Sequence, residues 1–343
     1  MKARRIHSLI YLGFSYLYEI DFKELKANGF MKLFFRTALA FPVMVSACKE
    51  STNLKNVKGT SAQSTYSLRL EPEVGLRYNY DILSESKTTY EIGGEEKESG
   101  NSIKMNVSYE TSKDSSNNLL FHITYNRFKA KIETENQERN LDASNTLVEA
   151  PPAEKMFAAF KGAQLKAVIS PKGDVKSLTG LSELFKHMEQ IAGDDEEALS
   201  MLKNSVQKNM GPEYFQNIIE SMFKLFPDSA LNIGQSWELE NTVNNEFKSS
   251  VKSVFTLRKI SDGIAFLDVK GVVVSNDEKV AVQGVNALVN LEGTQEGEVQ
   301  IEEKTGMLLQ SNLKLKAKGA IDVTARKIPF TFQTKNEVKG EKQ

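Results

Sequence analysis

Few side chains in this sequence have the chemistry of a ligand, base or nucleophile, and spacing decides what each one can do. His187 stands one helical turn after Glu183, a separation that stacks two side chains on one helix face and can offer a metal two ligands. No third ligand is spaced to join them, so the pair reads as an exposed acid–histidine contact. His122 alternates out of phase with Phe121 and Ile123, which turns it to solvent or to the far side of a strand. The acids gather in runs, Glu95-Glu96 and Asp194 to Glu197, compositions that suit solvated faces and helix N-termini. A glycosidase-type centre needs two carboxyls that meet in space, and nothing in the sequence singles out such a pair. The patterns G-x-S-x-G and H-E-x-x-H, the P-loop and the EF-hand loop are all absent. With no assembled set of nucleophile, base and orienter, the expectation is a non-catalytic protein with no cofactor and no metal. Charge points away from polyanions too. Forty-four basic against 45 acidic residues leave a net charge of −1, and that offers nucleic acid no attractive field.

The one cysteine, Cys48, rules out a disulfide within the chain, and its setting is informative. Met31-Lys32-Leu33-Phe34-Phe35-Arg36 opens a positive segment, Ala38 to Val45 is apolar, and Ser46-Ala47 precede the cysteine. This is the anatomy of a secretory signal with a small-residue cleavage site. The run from Leu33 to Ala47, about 15 residues, is shorter than the roughly 20 that a bilayer-spanning helix requires. Val45-Ser46-Ala47-Cys48 resembles the bacterial lipobox, whose cysteine is acylated on sulfur and becomes the mature N-terminus. Two or three acyl chains, at about 0.8 kcal/mol per buried CH₂, anchor a protein stably. Residues 1–30 carry a second apolar run, Leu9 to Tyr18, but no small-residue cleavage site follows it. They read as upstream translation, 31–47 as the lipoprotein signal peptide, and the polar stretch 48–64 as a flexible tether. Lys49, in place of Asp, follows the cysteine. The lipobox predicts a lipid-anchored protein of the cell envelope, and Lys49, by analogy with the general lipoprotein sorting pattern, predicts the outer membrane in preference to the inner.

The positioning elements follow from periodicity. Strict alternation starts at Tyr66-Leu68-Leu70 and continues through Tyr78, Tyr80, Ile82, Ile103, Met105, Val107, Phe121 and Ile123, with turns at Gly93-Gly94 plus the charged run Glu95 to Glu98, and at Asp114 to Asn118. Helical spacing takes over after Pro151-Pro152. It covers Met156, Phe157 and Phe160, then, after a hairpin around Pro171-Lys172-Gly173-Asp174, Leu181, Leu184, Phe185, Met188 and Ile191, then Leu199, Leu202, Val206 and Met210 behind an Asp194–Glu197 capping box. Gly211-Pro212 starts the last helix, with Phe215, Ile218, Ile219, Met222, Phe223 and Phe226, and Pro227 ends it. Alternation resumes at Trp237, punctuated by Asp262-Gly263, Asn276-Asp277, Thr305-Gly306 and Lys318-Gly319. Strands, then helices, then strands predict an α+β fold. The expected form is a large, mostly antiparallel, half-barrel-like sheet wrapped on a central helical block. One domain is expected over 65–338, with strands in 65–149, helices in 152–227 and strands in 233–335.

Three short stretches carry a resemblance: Ile169-Ser170-Pro171-Lys172-Gly173-Asp174-Val175, Phe226-Pro227 with Ile233-Gly234-Gln235-Ser236-Trp237, and Glu302-Glu303-Lys304-Thr305-Gly306-Met307-Leu308. Together they are similar to an uncharacterised family of secreted bacterial lipoproteins, with Gln235 where that family carries Asp. The strand–helix–strand order is similar, more distantly, to half-barrel carriers of the lipoprotein-localisation type. The first resemblance implies a lipid-anchored envelope protein, and the second a carrier of acyl chains. The wide apolar face of the last helix must be covered on more than one side. Close-packed core accounts for such a face. The alternative is an apolar pocket for a lipid-like ligand, lined by Phe185, Met188, Phe215, Ile219, Met222 and Phe223.

Overall fold

Alternation of inward and outward residues runs through this chain for far longer than an ordinary strand of about 5–6 residues. The computed structural model describes residues 65–343 apart from 115–117, 136, 144–154, 204–206, 208–210, 244–248, 283–284 and 324–325. Its strands are β1 (Arg77–Ile92), β2 (Glu95–Lys113), β3 (Leu119–Thr134), β4 (Gln137–Asp142), β5 (Gln164–Ile169) and β6 (Val175–Thr179), followed by β7 (Ser236–Val243), β8 (Ser249–Ser261), β9 (Ile264–Val282), β10 (Val285–Glu302), β11 (Leu308–Val323) and β12 (Arg326–Lys342). Between the two strand groups lie a 3₁₀ turn, Phe157–Phe160, and the helices α1 (Leu181–Ala192), α2 (Glu196–Met201) and α3 (Pro212–Phe223).

All pairings are antiparallel. They make one 12-stranded sheet in the order β6-β5-β3-β2-β1-β12-β11-β10-β9-β8-β7, with β4 on the remaining part of the β3 edge. The α+β expectation is therefore corrected: the protein is mostly β, and no central helical block organises it. The hairpin expected around Pro171 to Asp174 forms between β5 and β6, whose strands extend the sheet inside the segment otherwise expected to be helical. The two strand groups meet at the sheet centre through β1 and β12, in register from Tyr78 opposite Lys342 to Tyr90 opposite Phe330. Each would otherwise be a free edge, and pairing satisfies both rows of backbone donors and acceptors.

Two expected turns are also corrected. Asn276-Asp277 lies within β9, where the register against β10 slips between Val289 and Leu291. The turn-forming residues there make a bulge, which bends the strand without ending it. Lys318-Gly319 lies inside β11, and the Phe330 ring on β12 lies across Gly319, which has no side chain to obstruct it. The hairpins at Gly93-Gly94 and Asp262-Gly263 form, with positive φ at all four residues, but the charged run Glu95 to Glu98 expected in the first turn opens β2.

One face of the sheet is inward. The largest core cluster occupies the end of that face covered by the helices, and includes Tyr80, Met105, Tyr109, Phe121, Leu165, Leu202, Phe215, Phe223, Leu267 and Val299. Two smaller clusters lie at the other end of the strands. Tyr90, Val289, Ile321 and Phe330 form one; Val251, Val273, Leu315 and Ala317 form the other. The outward face is polar and charged: Lys314, Lys316 and Lys318 on β11 are exposed, as are Glu292, Glu296 and Glu298 on β10. A sheet with that outer surface is built to face water.

Candidate functional site

The six residues expected to line a pocket come together in the main cluster. Phe215, Ile219, Met222 and Phe223 on α3 and Met188 on α1 are buried, and Phe185 on α1 packs half-buried against them. The Phe223 ring meets Tyr109 edge-on at 5.4 Å and lies 5.1 Å from Phe121, while Tyr109 also meets Tyr80 edge-on at 5.3 Å. Phe215 meets Tyr125 edge-on at 6.4 Å. The Tyr109 hydroxyl donates to Met222 Sδ at 3.4 Å, and burial pushes that phenol well above its ordinary range, so it remains a donor. These edge-on contacts suit the quadrupoles of aromatic rings.

The other sequence-derived candidates have ordinary settings. His122 faces away from the core, and one of its ring nitrogens lies 3.1 Å from the Ser112 hydroxyl. His187 and Glu183 are both exposed. Asp195, and not Asp194, caps α2, its Oδ1 accepting from the Ala198 N–H at 2.8 Å. Val206, Met210 and Cys48 lie outside the described residues. Among the described residues no group of three His, Cys, Asp or Glu is placed to hold a metal. No helix among them is long and apolar enough to cross a membrane.

The three resemblance stretches converge on one structural node. The Leu70 N–H donates to the Pro171 carbonyl at 2.9 Å, and the Glu71 N–H to the Thr305 carbonyl at 2.7 Å. The segment around Leu70 is thereby clasped between two of the stretches. Gly173 has φ +90°, and a Cβ there would sit 2.2 Å from the Phe223 carbonyl oxygen; Gly306 has φ +69° and is crowded equally by the Arg69 carbonyl. Both positions demand glycine for conformation and for space. Trp237 Nε1 donates to the Leu225 carbonyl at 3.0 Å, and the indole stacks on Phe255. Glu220, 5% exposed, accepts from the Val175 N–H at 3.0 Å and from Gln216 Nε2 at 3.1 Å. Lys224 Nζ lies 2.6 Å from Asp174. Burial pushes the Asp174 carboxyl up, but Lys224 and Ser170 outweigh it and hold the group below its usual range. Nearby, burial and then the Glu302 carboxylate push the Tyr78 phenol up to about 12. All of this is positioning chemistry.

A different part of the inward face has receptive character. From β8 to β2 one cross-strand row runs Ser253, Gly271, Gln295, Leu315, Thr334, Ser86, Asn101. The Ser253 hydroxyl donates to Gln295 Oε1 at 3.2 Å, and the bond passes over β9 at Gly271. A Cβ on that glycine would lie 3.1 Å from Ser253 Oγ and 3.3 Å from Gln295 Cβ. The Ser86 hydroxyl donates to Asn101 Oδ1 at 2.9 Å, and in the adjacent row Ser84 donates to Asn336 Oδ1 at 2.9 Å. Asn101 is 7% exposed and Asn336 2%. Among the described residues Asn101 Nδ2 and Thr334 Oγ1 in this row are buried atoms without a hydrogen-bond partner, as are Ser249 Oγ, Ser311 Oγ, Asn232 Oδ1 and the Tyr78 and Tyr80 hydroxyls elsewhere. Buried polar groups are nearly always satisfied, so each such atom calls for an explanation. Ser86 and Thr334 are half-buried residues, as are Phe332 and Leu291, which pack against both far-end clusters. In the same row Ser253, Gln295, Leu315 and Asn101 are buried, so the half-buried side chains are confined to its Thr334–Ser86 part.

Sequence reasoning missed this belt. Its residues are in phase with apolar neighbours, Ser84 and Ser86 with Ile82 and Tyr90, Thr334 and Asn336 with Phe330 and Val338, and that phase was a usable signal. Phase alone does not reveal that polar residues from separate strands share one row.

Comparison with known proteins adds a family and a set of distant shapes. A lipovitellin structure, titled for lipid–protein interactions, has a TM-score of 0.42 at 10% identity; the match covers 79% of this chain and 26% of that one. The chain therefore spans about a quarter of lipovitellin's length. The translocator domain of the autotransporter NalP from Neisseria meningitidis has a TM-score of 0.19 at 9% identity, covering 78% of this chain and 89% of that one. OpdQ from Pseudomonas aeruginosa has a TM-score of 0.18 at 6% identity, covering 79% of this chain and all of the other, at 100%. No curated protein matches the chain. Residues 116–308, more than half of the chain, match the model of a family of unknown function, DUF6263, and the chain belongs to that family.

Proposed function

We propose that this protein is a non-catalytic, lipid-anchored module of the bacterial cell envelope that holds an amphipathic, lipid-like molecule against the inward face of its sheet. The observation that carries the reading is the composition of that face. An uncharged polar belt with unpartnered buried atoms lies between an aromatic core and two apolar clusters. An amphiphile matches such a surface, its polar group meeting the belt and its hydrocarbon covering Leu291 and Phe332. Apolar walls with a few placed polar groups are the usual make-up of a small-molecule site. The anchor rests on the lipobox-like run ending at Cys48, and placement at the outer membrane rests on Lys49.

A scaffold that exposes a docking patch is the competing reading. The exposed Val254 and Val272 lie diagonally on β8 and β9, with Lys252 and Lys270 directly opposite them, which breaks up any apolar surface there. Native mass spectrometry of the full protein purified without detergent tests ligand carriage. Co-purifying lipid is the expected result, and protein that stays ligand-free after incubation with envelope lipid extract removes the reading. Fractionation of Cys48→Ala tests the anchor: the variant should leave the membrane fraction, and retention there with continued fatty-acid labelling would refute it.

A further inference from the structure

The chemistry of the belt goes further than the existence of a ligand. Thr334, Ser86 and Asn101 stand side by side on β12, β1 and β2, in register. Directly opposite residues on neighbouring strands have Cβ atoms about 5 Å apart, so the three span one small polar group and its surroundings. The middle member is already committed, because Ser86 donates to Asn101 Oδ1 at 2.9 Å. That bond orients the Asn101 amide and leaves its Nδ2 donor free among the described residues, with Thr334 Oγ1 unpartnered on the other flank. One flank thus offers an N–H donor and the other a hydroxyl that can donate or accept. Across the whole row the inward side chains are Ser, Gly, Gln, Leu, Thr, Ser and Asn, with no charge among them. The first charged inward position along β2, Lys97, lies two rows farther and is paired with Glu135 at 3.4 Å.

We infer that Thr334, Ser86 and Asn101 bind the polar group of the ligand and select an uncharged one, a hydroxyl, ester or amide, over an ionised headgroup. The inference rests on the ligand-holding reading above. Desolvating a neutral hydroxyl is repaid by the donor and acceptor waiting there, whereas a phosphate or carboxylate would be buried beside side chains that carry no compensating charge. The ligand class is thus a neutral amphiphile such as a monoacylglycerol.

The test titrates the full chain with two probes of equal chain length, monoolein and oleate, by native mass spectrometry and thermal shift. Monoolein should bind at least about tenfold more tightly, the weight of one or two hydrogen bonds. Thr334→Val and Asn101→Leu should each weaken monoolein by about three- to tenfold and leave oleate unchanged, and Thr334→Ser should restore the lost affinity. Equal binding of both probes, tighter oleate, or variants that lower both affinities alike would overturn the headgroup selection while leaving a ligand-holding protein. Failure of both probes and of envelope lipid extract to bind would remove the ligand-holding reading itself. Circular dichroism of each variant separates lost recognition from lost folding.

Discussion

The helix-covered end of the inward face and the belt farther along the same strands are built on one alternating pattern and differ in what fills it. At the first, Tyr80, Tyr109, Phe121 and Phe223 meet ring to ring. Six residues on from Tyr80 along β1, about 20 Å at the strand rise, the inward residue is Ser86, bonded to Asn101 and flanked by unpartnered atoms. Large rings remove apolar surface and leave little room. The Tyr80 hydroxyl there is also unpartnered. In the belt, however, the unpartnered groups share one row on the strands either side of β1, on side chains too small to fill the space as rings do. Alternation thus sorts inside from outside, and side-chain volume and polarity then decide whether the inside is a packed core or a surface that can take a molecule.

Substitutions at the two ends should therefore differ in size. The largest effect is expected at Phe223, fully buried among aromatic rings. Phe223→Ala should lower unfolding free energy by about 3–5 kcal/mol, measured by urea denaturation. A loss under about 1 kcal/mol would show that the rings are loosely packed, and the contrast with the belt would collapse.

A middle effect is expected at the clasp around the Leu70 segment, on the side of the core away from the belt. Lys224 and Ser170 hold Asp174 below its usual range against the opposing push of burial. A carboxyl depressed in the folded state contributes fully above the unfolded carboxyl's pKa, about 3.9, and loses that contribution as pH falls through the folded value. Asp174→Asn should cost about 1 kcal/mol at pH 7, and the difference from wild type should shrink on acidification below about pH 4. A pH-independent difference would assign the cost to geometry and not to charge.

The smallest effect belongs to the belt. Thr334→Val replaces an unpartnered hydroxyl by a methyl of the same shape, so stability should change by no more than about 0.5 kcal/mol and can rise. A loss above about 2 kcal/mol would make Thr334 part of the structural core and merge the two regions. Calorimetry of the ligand-free protein reads this directly.

Several features were legible because they are local. Inward phase at Tyr78, Tyr80 and Ile82, the hairpin glycines at Gly93-Gly94 and Asp262-Gly263, and the helix start at Pro212 follow from backbone preferences of the residues themselves. That helix, however, ends at Phe223, ahead of Phe226 and Pro227. Local signals also misled where neighbouring strands overruled them. Asn276-Asp277 has turn composition, yet pairing on both sides of β9 holds it as a bulge. Gly319 has a breaker's composition, yet pairing with Leu291 on β10 and Phe330 on β12 holds β11 continuous through it.

The sequence by itself determined which residues face inward, where most hairpins turn, and that one cysteine follows a signal-like apolar run, since each depends on residues close along the chain. Only the tertiary structure decided that β1 pairs with β12, that the helices cover one end of a 12-stranded sheet without forming its centre, and that Ser86, Asn101 and Thr334 share a row. Ser86 and Thr334 are separated by nearly the full length of the folded chain. Their meeting depends on strand register, which is set by the summed burial and hydrogen bonding of the whole sheet and is not encoded within any short segment.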